Sequence, residues 1–257
     1  MNLLIAGGGK FGQKAVEYAQ KLNYKTLLID KNPDCFASTR IQTTFNKVDT
    51  LLRDFENYTT GDMIFLNDNV STINKLLLNI QFEYIIPVVP IHLTAVIIKK
   101  YFNSLDIKVH PNPKCVEKYT SKINPELLLD SVKDSATIYL SYAKRDEICP
   151  ENCSGPPNFC PNFDREKPIT ITNYLTKLFN VPEQIRFSKD EKKVYFLIKS
   201  YQLKAGLGGL KGEDITKVFK VINDNSAYFK KDYYDIIIST SCNCHGVISF
   251  IKSNPSA

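Results

Sequence analysis

The chain has 257 residues, 43% of them hydrophobic and 23% charged, which is enough for two modest domains with real cores and typical of an ordinary globular protein. Its 33 basic and 27 acidic residues leave a net charge of +6, but the signs are interleaved, as in Ser188-Lys189-Asp190-Glu191-Lys192-Lys193, so no nucleic-acid partner is expected. No apolar stretch reaches the roughly 18 to 20 residues of a membrane span, and the longest candidate, 84–98, is interrupted by Pro87, Pro90 and His92.

From the amino terminus, Asn2-Leu3-Leu4-Ile5-Ala6 is a short apolar run that empties into Gly7-Gly8-Gly9-Lys10-Phe11-Gly12. A helical stripe of Phe11, Ala15, Ala19 and Leu22 follows, and then a second apolar run, Thr26-Leu27-Leu28-Ile29, closed by Asp30. Strand, glycine turn, helix, strand and acid stand in the order of a dinucleotide-binding βαβ unit. Gly7 suits the tight turn, Gly9 lets backbone approach a pyrophosphate, and Gly12 allows close packing of helix on strand. Asp30, 18 residues after Gly12, is placed to accept hydrogen bonds from the hydroxyls of an adenosine ribose. The expected cofactor is therefore NAD(P), with NAD favoured, because a 2′-phosphate would meet the carboxylate as a like charge; Lys31 weakens that preference. The cofactor-binding set is Gly7, Gly9, Lys10, Phe11, Gly12, Asp30 and Lys31, and the alternative is a similar turn kept for packing alone.

This stretch resembles the Rossmann nucleotide-binding domains of potassium-uptake regulators and related NAD(P)-dependent dehydrogenases. Through Gly7 to Gly12 and Asp30-Lys31-Asn32-Pro33-Asp34-Cys35 it is also similar to the amino-terminal domain of ATP-grasp enzymes, such as the carboxylase subunit of purine biosynthesis. Both resemblances cover about the first 110 residues. The first implies a nucleotide- or redox-sensing module, without catalysis, that forms a homodimer. The second implies an ATP-dependent ligase, but the 145 or so residues after Pro111 are short for its two further domains, and its paired magnesium carboxylates have no counterpart.

Further along, residues 63–66, 84–89 and 107–110 read as strands, and residues 70–78 and 95–102 as helices. With the first two strands these make a doubly wound, Rossmann-like parallel sheet over residues 1–112. Pro111-Asn112-Pro113 is the expected boundary, after which a helical region over 116–132, broken at Pro125, enters a second, smaller α/β domain over 113–257. There, strands are expected at 137–140, 194–198, 235–239 and 247–251, and helices at 171–179 and 213–222. The segments 145–168 and 205–212 are read as loops.

Cysteines mark the second domain. Cys149, Cys153 and Cys160 share one proline-rich loop, and Cys242 and Cys244 precede His245. Such a loop has no core of its own, and thiolates are soft ligands suited to zinc or an iron–sulfur cluster. The C-x3-C-x6-C spacing matches neither zinc ribbons nor the ferredoxin run. Cys242 or Cys244 would complete a four-cysteine shell, and His245 is a further ligand or a catalytic acid–base group; unrelated buried thiols are the alternative. Cys35 and Cys115 are read as packing residues.

Gly206, Gly208, Gly209 and Gly212 form a second glycine concentration, read either as an anion-binding loop with Lys204 and Lys211 or as a flexible turn. The leading expectation is an oxidoreductase on a small-molecule substrate. The amino terminus leads straight into a strand, so a cytoplasmic location is expected, where cysteines serve as thiols or metal ligands rather than disulfides.

Overall fold

Leu3, Leu4, Ile5 and Ala6 are solvent-inaccessible, as are Leu27, Leu28 and Ile29. Runs in which every residue is buried form strands of a sheet covered on both faces, and that is where these two runs lie. In the computed structural model, which describes residues 1–255, the first part of the chain runs β1 (Asn2–Ala6), α1 (Lys10–Lys21), β2 (Lys25–Asp30), β3 (Thr43–Phe45), α2 (Val48–Asp54), β4 (Met63–Asn67), α3 (Ile73–Asn79), β5 (Tyr84–Pro87) and α4 (Leu93–Ser104). Next come β6 (Lys108–Pro111), α5 (Pro113–Thr120), β7 (Leu128–Val132), β8 (Thr137–Ser141), β9 (Phe159–Cys160), β10 (Arg165–Glu166), α6 (Ile171–Phe179) and β11 (Ile185–Ser188). The chain ends with β12 (Lys193–Lys204), β13 (Leu207–Lys211), α7 (Gly212–Asp224), α8 (Ser226–Lys231), β14 (Asp235–Ser241) and β15 (His245–Asn254). The architecture is mixed α/β. Among the described residues, no helix is long and apolar enough to cross a membrane.

The chain divides into two compact units, residues 1–97 with 207–217 and residues 98–206 with 218–257. In the first unit the strand order is β3-β4-β2-β1-β5-β13. The first five strands are parallel, and β13 joins β5 antiparallel through Leu210↔Ile85 and Lys211↔Tyr84. The segment read from sequence as a glycine loop is thus largely a strand, whose Leu207 and Leu210 are buried. Helix α1 buries Gly12, Ala15, Val16 and Ala19, whereas Phe11 and Leu22 are exposed. The buried stripe is rotated from the expected one because Gly12, lacking a side chain, allows the helix to approach the end of β1; a Cβ there would collide with the Gly7 carbonyl.

In the second unit the order is β12-β14-β15-β8-β7, with β11 beside β12 and β6 on the carboxyl end of β15. Among the described residues of this unit β12 and β14 pair parallel, and the other pairs in this order are antiparallel. Strand β6 was expected in the parallel sheet of the first domain. Instead it pairs antiparallel with β15, from Pro111↔Ile251 to Lys108↔Asn254. Its Lys108 and His110 are exposed, so it lacks the continuous apolar run a covered parallel strand needs. Pro111-Asn112-Pro113 lies within this unit, joining β6 to α5.

Helix α5 stops at Thr120, and the expected continuation to 132 is strand β7. The chain turns at Asn124-Pro125, where the Tyr174 hydroxyl accepts from Asn124 N (2.8 Å) and Asn124 Oδ1 accepts from Glu126 N (3.0 Å). The core beneath α5 and α6 holds Tyr119, stacked on Phe250 at 5.3 Å between ring centroids. At its margin, buried Asn112 donates to Asp235 Oδ1 (2.7 Å) and to Cys115 Sγ (3.2 Å). Burial and the neighbouring Asp235 push the Cys115 thiol up to about 12.

Candidate functional site

Two constellations lie in different units. The first is the turn between β1 and α1. Gly7 adopts φ +109°, and a Cβ there would come within 2.8 Å of both the Val88 carbonyl and a Val89 methyl. Gly8 has no room for a side chain because the buried Cys35 sulfur fills it, and Gly12 is pressed on the Gly7 carbonyl. Gly9 differs: an added Cβ would meet nothing within 4 Å. It is the N-cap of α1, and its carbonyl accepts from Gln13 N at 2.9 Å. Helix N-termini carry N–H groups without intrahelical partners and a partial positive charge, the usual basis of anion binding.

Asp30 closes this turn. Its Oδ2 accepts from Gly8 N at 2.6 Å, and its Oδ1 accepts from Asn32 N at 2.8 Å. The carboxylate therefore holds the backbone of the turn, a role the sequence did not reveal, while each oxygen keeps a further lone pair. Lys10, Phe11 and Lys31 are exposed, and Lys14 Nζ stands 5.3 Å from the Phe11 ring centroid.

The second constellation lies wholly in the second unit. Cys149 and Cys153 are in the connection from β8 to β9, Cys160 ends β9, and Cys242 and Cys244 are in the turn from β14 to β15. All seven cysteines are free thiols. The β14–β15 turn is held by Cys242 N to His245 O (2.9 Å) and Tyr142 N to Cys244 O (3.0 Å). Amides at the start of α6 add Ile171 N to Asn243 O (3.1 Å) and Thr172 N to Cys242 O (3.2 Å).

His245 lies between two sulfurs, with Nε2 3.7 Å from Cys149 Sγ and Nδ1 4.0 Å from Cys242 Sγ. His245 is exposed by its surface area, and desolvation of its ring with the charge of Lys167 lowers its pKa, which favours the neutral imidazole. Cys153 Sγ accepts from Gly155 N (3.3 Å) and Asn162 Nδ2 (3.4 Å). Cys244 is buried, and Lys167 Nζ donates to its sulfur at 3.1 Å and also to the Pro156 carbonyl. Desolvation raises the Cys244 thiol and outweighs the lowering by Lys167. Among the described residues, no three His, Cys, Asp or Glu side chains are gathered tightly enough to hold a metal ion as they stand. A bound metal would have to draw the thiols together.

Three supports of this pocket were not legible in the sequence. Lys167, only 2% exposed, sits in the segment 145–168, read from the sequence only as a loop. Arg165 forms a two-pronged ion pair with Glu147 (2.7 and 2.8 Å) and also reaches the Tyr142 carbonyl, clasping the loop; this pair holds the Glu147 carboxyl down at about 2. Gly206, at φ +73°, has the backbone of Glu151 where a side chain would be, and its N–H donates to Cys153 O at 2.9 Å. A glycine read as part of an anion loop thus seats the cysteine loop.

Residues 95–254 match the family AF_1314_C, described as an uncharacterized protein, C-terminal domain, and residues 1–93 match AF_1314_N, the corresponding N-terminal domain. The chain belongs to this family. A relative from Archaeoglobus fulgidus, described as an uncharacterized protein, is 28% identical over 249 residues, covering 97% of this chain and 98% of the relative. No solved structure matches the chain.

Proposed function

We propose that this AF_1314-family chain is an NAD(P)-binding protein, an oxidoreductase on a small substrate, whose Rossmann-like first unit holds the cofactor and whose cysteine pocket holds a zinc ion or an iron–sulfur cluster. The observation that carries the reading is the turn between β1 and α1. Three of its glycines are required by the protein's own packing, at Val88, Cys35 and the Gly7 carbonyl, but Gly9 faces open space. Its missing side chain leaves room for a phosphate to approach the helix N-terminus, although glycine is also an acceptable N-cap in its own right.

The strand order supports the same place. Along β4-β2-β1-β5 the direction of winding reverses between β1 and β5, and ligands of parallel α/β sheets lie outside the carboxyl ends of the strands at such a reversal. Asp30 at the end of β2 has lone pairs left for ribose hydroxyls, which favours NAD over NADP. In the second unit, neutral His245 beside two thiols is the group best placed for proton transfer or metal ligation.

Calorimetric titration of the purified chain with NADH, NADPH and ATP tests this reading. Saturable NADH binding that NADPH matches only weakly is the expected result, with affinity at least about tenfold lower in a Gly9→Val variant of unchanged circular dichroism. Binding of ATP with none of NADH would replace the oxidoreductase reading by that of an ATP-using protein. Binding of neither would remove the nucleotide reading altogether.

A further inference from the structure

His245 opens β15, where it is exposed, and both of its ring nitrogens face sulfur: Nε2 lies 3.7 Å from Cys149 Sγ and Nδ1 4.0 Å from Cys242 Sγ. Both cysteines are half-buried free thiols, and Ile148 beside Cys149 is 89% exposed, so this side of the pocket is open to small molecules. The contacts are held from two directions. Cys242 N donates to His245 O at 2.9 Å and closes the β14–β15 turn. Two residues before Cys149, Glu147 is paired with Arg165, which also reaches the Tyr142 carbonyl, while Tyr142 N donates to Cys244 O at 3.0 Å. Loop and turn are thus tied to the same residue, Tyr142.

A neutral imidazole has one N–H and one bare nitrogen. Between two thiols it donates to one sulfur and accepts from the other, and cannot accept from both. That asymmetry is the arrangement of a nucleophile, its base and a third group that orients the base. The shorter contact is to Cys149, on the open loop, whereas Cys242 is confined by the tight turn, so Nε2 is the nitrogen that takes a proton. The separations are long for formed hydrogen bonds, as catalytic contacts commonly are before a substrate closes on them. Cys153 is a control within the same loop. It too is half-buried, but its sulfur accepts from Gly155 N (3.3 Å) and Asn162 Nδ2 (3.4 Å), donors that hold its lone pairs rather than a base that takes its proton.

We propose that Cys149 is a nucleophilic thiol that exchanges with low-molecular-weight disulfides, with His245 as its general base and Cys242 as the positioning residue that orients the ring. The inference rests on the reading of His245 as a proton-transfer group and asks for neither a bound metal nor a nucleotide. The Cys149 sulfur attacks one sulfur of the disulfide while its proton passes to His245 Nε2. The S–S bond of the substrate breaks, a mixed disulfide forms on Cys149, and the leaving thiolate takes the proton back from the imidazolium. One disulfide is exchanged for another, so no further oxidant or reductant is consumed. Exchange at sulfur asks for these groups alone, because charge develops on the leaving sulfur beside the imidazolium. Acyl transfer would ask in addition for donors to an oxyanion.

The test uses an aryl disulfide that releases a coloured thiolate, dithiobis-nitrobenzoate, added to the anaerobically purified full chain. Absorbance gives the rate and peptide mass spectrometry gives the site. A fast phase of one thiol per chain is expected, located at Cys149, missing from Cys149→Ser and well ahead of Cys153. His245→Ala should slow it by about 10- to 100-fold near pH 7, a ceiling set by the few per cent of thiolate that an unassisted cysteine already carries there. Added imidazole should restore part of the rate to His245→Ala, which a purely structural ring would not allow. Cys242→Ala should slow the phase less, and Cys242→Ser, whose hydroxyl still accepts from the ring, should keep it.

Circular dichroism checks the fold of each variant, and the site found in wild type stands whether or not Cys149→Ser folds. First reaction at Cys242 or Cys153, or an unchanged rate in His245→Ala, would overturn the assignment. A Cys149 that reacts only after a chelator has stripped zinc or iron from the chain would overturn it in favour of Cys149 as a metal ligand. A fast Cys149 in a chain that carries no metal would uphold the thiol site and remove the metal reading instead.

Discussion

The glycine turn and the cysteine pocket are built by opposite means. The turn joins two adjacent elements, and its parts, Gly7 to Gly12 with Asp30, span 24 residues. The pocket gathers three segments, 147–167, 202–206 and 242–245, separated by long stretches of chain. In the turn, sheet register, one carboxylate and the close approach of Val88 and Cys35 set the backbone. In the pocket an ion pair, a buried lysine, a left-handed glycine and the start of α6 are all needed. A local site is robust because few contacts specify it. A site assembled from distant segments pays loop-closure entropy and depends on every clasp.

The largest expected effects break the packing glycines. Gly12→Ala and Gly206→Ala each drive a Cβ into backbone, and Gly206 also sits at φ +73°, so each should lose about 3 kcal/mol or more in urea unfolding. Gly9→Val sharpens the contrast within the turn. The added Cβ meets nothing within 4 Å, so the change should cost no more than about 1 kcal/mol as a changed N-cap, yet NADH affinity should fall at least about tenfold in a titration. Equal destabilisation by Gly9→Val and Gly12→Ala would contradict the distinction between a packing and a binding glycine.

Asp30→Asn is expected to do two things at once. Losing charge-assisted bonds to Gly8 N and Asn32 N should cost about 1–3 kcal/mol, and the preference for NADH over NADPH should shrink about tenfold. A smaller effect concerns pH. The Cys115 thiol lies at about 12 in the folded chain against an ordinary 9.0, and Tyr119 is likewise raised, chiefly by burial. The folded state keeps these protons, so their contribution is whole below pH 9 and is lost as pH rises toward 12. The urea midpoint should decline over that range, less steeply in Cys115→Ala. The smallest effect is chemical: in native protein at pH 8, iodoacetamide should label the half-buried Cys149 and Cys153 well before Cys115, as peptide mass spectrometry would show.

Much of this molecule was legible because its signals are local. A continuous apolar run before a glycine cluster leaves few options other than a buried strand and a helix start, and β1, α1 and β2 follow it. Helix α6 occupies the expected residues 171–179, with Thr170 Oγ1 accepting from Asn173 N at 3.1 Å as its N-cap. The stretch 116–132 was misread because its apolar residues fit a helical period while the turn at Asn124-Pro125 hands the chain to a strand. β6 was misassigned because the polar Lys108 and His110, which break the continuous apolar run of a covered parallel strand, were not weighed against the order of the elements.

The amino-acid sequence by itself determined the parallel strands around the turn, the tight turn at Gly7, the close packing at Gly12 and the two cysteine-bearing connections, because steric limits and burial of apolar runs act between neighbours. Only the tertiary structure decided that Asp30 holds Gly8, that Gly206 seats the cysteine loop, and that Lys167 is buried against Cys244. Those contacts join residues 22 to 77 positions apart, and a charged or glycine residue shows its partner only once the chain has closed the loop between them.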